Sequence, residues 1–260
     1  MELTILGSGT CVPTLERSAP AVYLRVAGKE VLVDCGEGTM HQLIKARLSY
    51  KNIDVIFVTH THPDHISGIM PFIHATNWTP GFDRKKELTI VGPKGFKKYY
   101  STHILCMAGM KPRPYTIKVK EINKRMVFDE FLIEAEKTLH SASSIAYKFR
   151  KDKKSVVVSG DADYDLSLVR FCRKADLLIL ECSFPDSDYG TFRMRQNCPA
   201  GKGKKAGPDT HLSCGQRTAK SNRGKEIFQK YLCSTRPDED ISVARQDGGN
   251  NEDTHDWEIH

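Results

Sequence analysis

The segment Thr59-His60-Thr61-His62-Pro63-Asp64-His65 constrains this chain more than any other. Three imidazoles and one carboxylate fall within six residues, directly after the apolar run Val55-Ile56-Phe57-Val58. A strand ending in a tight loop would aim all four side chains at one point. Imidazole and carboxylate are ligands that hold zinc while leaving a position for water. A metal acidifies that water enough to supply hydroxide near neutral pH. A lone histidine is more often a satisfied core or surface residue, and two histidines two apart arise by chance. Four ligand-type residues in this order at a strand end read as a metal site before they read as a polar loop. The zinc-protease pattern His-Glu-x-x-His on a helix is absent.

The rest of the chain supplies strands and helices to carry such a loop. Short β-branched runs at Leu3 to Leu6, Ala21 to Val26, Val31 to Val33, Val55 to Val58 and Leu88 to Val91 read as strands. Phe131 to Ala135, Ile145 to Phe149, Val156 to Val158 and Leu177 to Leu180 read the same way. Helical spacing covers Met40 to Ala46 and Tyr164 to Phe171, and Pro93-Lys94-Gly95 predicts a turn that opens a helix through Tyr100. Strands interleaved with helices predict an α/β chain, two mixed sheets flanked by helices in an αββα sandwich. The stretch from His103 to Arg113 has no assignment.

At 260 residues the chain can bury a substantial core. No apolar run approaches bilayer length. Met1-Glu2-Leu3-Thr4-Ile5-Leu6 lacks the basic-then-apolar pattern of a signal peptide and reads as a first strand, so the expected home is the cytoplasm. The eight cysteines are scattered with no Cys-x-x-Cys pair, which favours reduced thiols. Cys35 and Cys182 read as buried filler. A net charge of +7 favours a polyanion such as RNA only modestly, and short clusters such as Lys97-Lys98 are equally a solvated surface.

Two regions differ in character. Residues 1–186 are internally consistent and form the expected metallo-hydrolase core. From 187 to 260 apolar residues thin out, and Lys, Arg, Asn, Gly and Asp dominate. The stretch Asp247-Gly248-Gly249-Asn250-Asn251-Glu252-Asp253 cannot bury enough apolar surface to order itself. Two further ligand types sit at strand ends, His140 after the Phe131 run and Asp161 after the Val156 run. Alone, His140 is also a satisfied loop histidine and Asp161 a helix N-cap. With His60, His62, Asp64 and His65 they make six ligands, the number a two-metal site needs.

Taken in order, Leu6-Gly7-Ser8-Gly9-Thr10, Val33-Asp34-Cys35-Gly36-Glu37-Gly38-Thr39, His60 to His65, His140 and Gly160-Asp161 resemble the ribonuclease Z-like branch of the metallo-β-lactamase-fold hydrolases. The resemblance implies two divalent metal ions, with zinc first and manganese or iron as alternatives. It implies that His60, His62 and His140 hold one metal, that Asp64 and His65 hold the other, and that Asp161 bridges them. It implies hydrolysis of a phosphodiester, in RNA or a nucleotide, by hydroxide held between the metals. Asp64 would accept the proton of the attacking water, Asp34 would support the ligands from behind, and Glu181 would help protonate the leaving group. His62 in place of glutamate separates the pattern from oxygen-reducing diiron relatives. Members of the family are often homodimers, although no interface is readable here.

Two departures stand against the full resemblance. Transfer-RNA-processing members carry a long Gly/Pro-rich arm between the motifs at His140 and Asp161, which here are 21 residues apart. The family also ends with a further histidine ligand after an apolar strand, for which His211 is the nearest candidate and lacks the strand. Residues 187–260 therefore have two readings, a divergent tail or translation in a shifted frame. Read from the third base of each codon, Lys230 to Thr235 admits an apolar strand ending in histidine. Hydrolysis of a thioester or lactam, and a metal-binding relative impaired by its tail, are the competing functions.

Overall fold

Burial on both faces marks the strands that carry the histidine segment. The computed structural model describes residues 1–180 and, as backbone, the strand Tyr231–Ser234. Glu181, Cys182, His211 and the remainder of 187–260 lie outside the described residues, as do the expectations placed on them. The chain divides into two compact units, whose described parts are residues 1–123 and residues 124–180 with Tyr231–Ser234.

The first unit is built on β1 (Glu2–Gly7), β2 (Ala21–Val26), β3 (Lys29–Val33), β4 (Val55–Phe57), β5 (Leu88–Gly92) and β6 (Ile117–Glu121), which lie in sequence order across one sheet. β1, β2 and β3 pair antiparallel, and β3 through β6 pair parallel. Every residue of β4 and β5 is buried, as expected for parallel strands covered on both faces. Helices α1 (Thr39–Lys45), α2 (Pro63–Ile66), α3 (Ile69–Trp78) and α4 (Phe96–Tyr99) connect them, and α4 runs into a π-helical turn at Tyr100–Ile104. Leu6, Tyr23, Leu32, Ile56, Val58, Ile69, Phe72 and Ile90 meet in one core cluster.

The second unit holds β7 (Arg125–Phe128), β8 (Phe131–Lys137), β9 (Ile145–Lys151), β10 (Lys154–Val158), β11 (Leu177–Leu180) and β12 (Tyr231–Ser234), in the order β12-β11-β10-β9-β8-β7. β7 to β10 form an antiparallel meander. A crossover through α5 (Leu166–Cys172) makes β11 parallel to β10, and β12 closes the edge antiparallel to β11. Both sheets are mixed, in agreement with the expected α/β class. The Lys148 ammonium caps the end of α5, donating to the carbonyls of Phe171 at 3.0 Å and Arg173 at 3.1 Å.

Several elements differ from the sequence expectation. β6 and β7 are unread edge strands, because Ile117-Lys118-Val119-Lys120-Glu121 alternates apolar with charged residues and β7 is equally short. α3 is unread because Pro71 interrupts its pattern, yet the first turn of a helix needs no proline N–H. α5 starts at Leu166 rather than Tyr164, since Asp165 is extended and its carboxylate accepts from the Ser167 hydroxyl. Asp161 is therefore not a helix N-cap. β12 lies where the sequence showed no run of four apolar residues; a backbone ladder on β11 does not require one. Among the described residues no helix is long and apolar enough to cross a membrane.

Candidate metal centre

β3 and β4 lie parallel and in register, Val33 beside Phe57, so the residues that follow them leave the sheet at the same edge. Asp34 follows β3, and Val58-Thr59-His60 follows β4. In open α/β sheets, ligands bind outside the carboxyl ends of the strands. The backbone is fixed there by two bonds, Asp34 N–H to the Phe57 carbonyl at 2.7 Å and Val58 N–H to the Val91 carbonyl at 2.8 Å. Beyond His60 the chain turns into α2, with His62 at its extended N-cap and Pro63 at the first helical position. Asp64 and His65 are thereby placed on one short turn, with His65 Nε2 at 3.7 Å from Asp64 Oδ2.

The buried Asp34 carboxylate is the hub of this arrangement. It accepts from the Thr59 amide at 2.8 Å, from the Thr59 hydroxyl at 2.8 Å and from His65 Nδ1 at 2.7 Å. Asp34 adopts a left-handed backbone with φ of 59°, a conformation aspartate tolerates better than most residues. The His60 ring lies 4.5 Å from that of His62 and 4.1 Å from that of His65, centroid to centroid, and His60 and His65 are fully buried. Beside them, burial pushes the Cys35 thiol up to about 12, helped by the Asp34 charge and opposed by a bond with Thr39. Cys35 is filler, as expected, and among the described cysteines Cys11, Cys35, Cys106 and Cys172 none forms a disulfide.

These residues fit a metal ion. An ionised carboxylate only accepts, so the Asp34 contact assigns the imidazole proton of His65 to Nδ1 and leaves a lone pair on Nε2. Histidine ligands characteristically donate their second ring N–H to a carboxylate in this way. In the second unit, His140 follows β8 and Asp161 follows β10. A bridge between Leu139 and Asp163 ties the two loops, with the Asp163 N–H donating to the Leu139 carbonyl at 2.7 Å. The Thr138 hydroxyl donates to the Asp161 carbonyl at 3.0 Å, and His140 Nε2 stands 3.6 Å from Asp161 Oδ2. The two strand-end candidates named from sequence in this unit are thus neighbours. Thr59, which bonds to Asp34, and Gly68, whose amide donates to the Cys35 carbonyl at 2.8 Å, were not singled out from the sequence, because neither is a ligand type.

The two mixed sheets, with imidazole and carboxylate groups at strand ends, define a metallo-β-lactamase-fold protein. The chain superimposes on the metallo-β-lactamase-fold protein YhfI of Bacillus subtilis with a TM-score of 0.65 at 22% identity, covering 77% of this chain and 82% of that one. It superimposes on the short form of human tRNase Z with a TM-score of 0.60 at 23% identity, covering 76% and 89% respectively. At these identities the likeness is one of fold. In sequence it is 36% identical over 156 residues to ribonuclease Z of Thermococcus kodakarensis, covering 59% of this chain and 48% of that protein. The chain spans about half the length of the curated relatives it matches. Its sequence is similar to that of ribonuclease Z, as its motifs implied. Residues 1–191 match the family described as Anti-Pycsar protein Apyc1, and the chain belongs to that family.

Proposed function

We propose that this protein is a dinuclear, metal-dependent phosphodiesterase. The observation that carries the reading is the Asp34 hub, which holds His65 with its Nε2 lone pair directed away from the carboxylate, next to His60 and Asp64. His60, His62 and His140 would hold one divalent ion, Asp64 and His65 the other, and Asp161 would bridge them, with zinc as the first choice of metal. When bound, two such ions stabilise the attacking and leaving oxygens of an in-line displacement. Asp64 orients the attacking water and takes its proton. Glu181 delivers a proton to the leaving group. These roles follow the family motif.

The substrate we propose is a phosphodiester in a nucleotide or in RNA without a transfer-RNA fold. Between His140 and Asp161 the chain consists of β9, a tight turn at Asp152-Lys153 and β10, with short connections. That hairpin leaves no segment for a substrate-binding arm. A cytoplasmic site of action, expected from the sequence, and a homodimer, implied by the family resemblance, belong to the proposal, and light scattering on the full chain tests the dimer.

The test is metal content per chain on purified protein, with turnover of bis-p-nitrophenyl phosphate, a dinucleotide, a thioester and a lactam on the same sample. Two metals per chain with phosphodiester turnover is the expected result. Turnover confined to the thioester or lactam would overturn it. Metal uptake without any turnover would make this an impaired relative and direct attention to residues 187–260.

A further inference from the structure

We propose that Thr59 is a positioning residue that fixes the proton of His60 on Nδ1 and so presents its Nε2 as a lone pair. The Thr59 hydroxyl lies 2.8 Å from Asp34 Oδ2, 3.1 Å from Asp34 Oδ1 and 3.0 Å from His60 Nδ1. It has one proton to share among these atoms. If that proton pointed at His60, the hydroxyl oxygen would face a carboxylate oxygen at 2.8 Å with no hydrogen between them, a repulsive contact in a fully buried site. The charge-assisted bond to Asp34 is the stronger one and takes the proton. The hydroxyl oxygen is then an acceptor toward His60, which must carry its own proton on Nδ1.

The consequence is that one carboxylate sets two histidines. Asp34 fixes His65 directly and His60 through a single hydroxyl. The backbone N–H of Thr59 also donates to Asp34 at 2.8 Å, so the strand end stays tied to the hub whatever side chain residue 59 bears. The hydroxyl is thereby separable from the fold. What Nε2 of His60 meets rests on the metal reading above; the proton's place on the ring does not.

The experiment has two independent readouts on the full chain. Long-range nitrogen-15 spectra of the histidine rings, recorded after zinc is stripped with a chelator, report the tautomer of His60 directly. The wild type is expected to show Nδ1–H, Thr59→Ser the same, and Thr59→Val a mixture or the Nε2–H form. Zinc affinity by chelator competition is expected to fall about 10- to 100-fold in Thr59→Val and to return to within about threefold in Thr59→Ser, as a restored hydroxyl bond requires. An Nε2–H tautomer in the wild type overturns the proposal, as does a Thr59→Val protein that binds zinc as tightly as the wild type. If Thr59→Val does not fold, the wild-type and Thr59→Ser tautomers still decide. A wild type that binds no zinc would sink the metal reading while leaving the tautomer result standing.

Discussion

The amide of Cys35 donates to the carbonyl of His65 at 2.8 Å, and the carbonyl of Cys35 accepts from the amide of Gly68 at 2.8 Å. The stretch from His65 to Gly68 is thus bonded at both ends to the single residue Cys35, which lies just past β3. The approach is close enough to exclude side chains. A Cβ on Gly36 would lie 2.1 Å from the Asp64 carbonyl oxygen, and one on Gly68 would lie 2.4 Å from the Gly36 carbonyl oxygen. Backbone cannot yield as a side-chain tip can.

Gly36→Ala and Gly68→Ala are therefore expected to destabilise the protein by about 2 kcal/mol or more, the upper range of overpacking. Under the proposed metal reading both should also weaken zinc binding, because the shift falls on Asp64 and His65. Gly81→Ala is the comparison: its φ is +71° but a Cβ there would meet nothing within 4 Å. Its cost should be about 1 kcal/mol, the strain of a left-handed alanine, with zinc affinity unchanged. Urea unfolding of the three variants checks this; equal losses at Gly36 and Gly81 would refute it.

Arg84 is a second fixed point of the first unit, far from any ligand in sequence. Its side chain is fully buried. It donates to the carbonyls of Lys86 at 3.0 Å, Lys51 at 3.2 Å, Ile53 at 2.7 Å and Glu87 at 3.3 Å, with the Tyr115 ring 5.2 Å from its guanidinium carbon. Burial lowers its pKa, and Tyr115 and Asp54 oppose the shift. Arg84→Met should cost on the order of 3 kcal/mol, since several buried carbonyls lose their donor at once. Arg84→Lys should recover less than half, because an ammonium cannot reproduce the planar fork. The shift of the urea midpoint at constant slope is the measurement, and a fully stable lysine variant would count against it.

How much of this was legible in the sequence depends on which residues carry chemistry. His60, His62, Asp64 and His65 were readable because ligand types at close spacing after an apolar run are rare in packing. His140 and Asp161 were readable only as a sum, each being weak alone; the bridge at Leu139 and Asp163 that brings them together leaves no mark in composition. Buried strands such as β4 and β5 were plain, whereas the edge strand β6 was hidden by its own charges and β7 by its four-residue length. Thr59 could not have been singled out, since a threonine before a histidine is commonplace. Its role exists only once β3 and β4 lie side by side.

Alkaline stability follows from two tyrosines of the first unit. Burial pushes Tyr23 up to about 12, with the Glu30 charge adding to it, and pushes Tyr100 up to about 12, with Tyr115 adding to it. In the unfolded chain both titrate near 10. Below that pH both states hold the protons and nothing changes. Between about 10 and about 12 the unfolded state loses protons that the folded state keeps, so stability falls as pH rises. The slope approaches about 1 kcal/mol per pH unit for each group. Urea midpoints across that window, with tyrosinate absorbance read in parallel, test it. A Tyr100→Phe variant should lose part of the slope, and a flat profile would contradict the prediction.

Thiol accessibility gives a local check on the packing around the hub. Cys35 and Cys172 are buried, whereas Cys11 and Cys106 are exposed. The thiolate is the reactive form, and Cys35 is both enclosed and held protonated far above neutral pH. A brief iodoacetamide pulse on the native full chain at pH 8, read by peptide mass spectrometry, should label Cys11 and Cys106 at least about tenfold faster than Cys35, the rate of a buried site being set by the population of its opened state. In urea the difference should vanish. Gly36→Ala offers an internal contrast, because loosening the Cys35–His65 tie should speed labelling of Cys35 while leaving Cys106 unchanged. Labelling of native Cys35 as fast as Cys11 would mean that the turn bearing Asp64 and His65 is not held as the backbone bonds require.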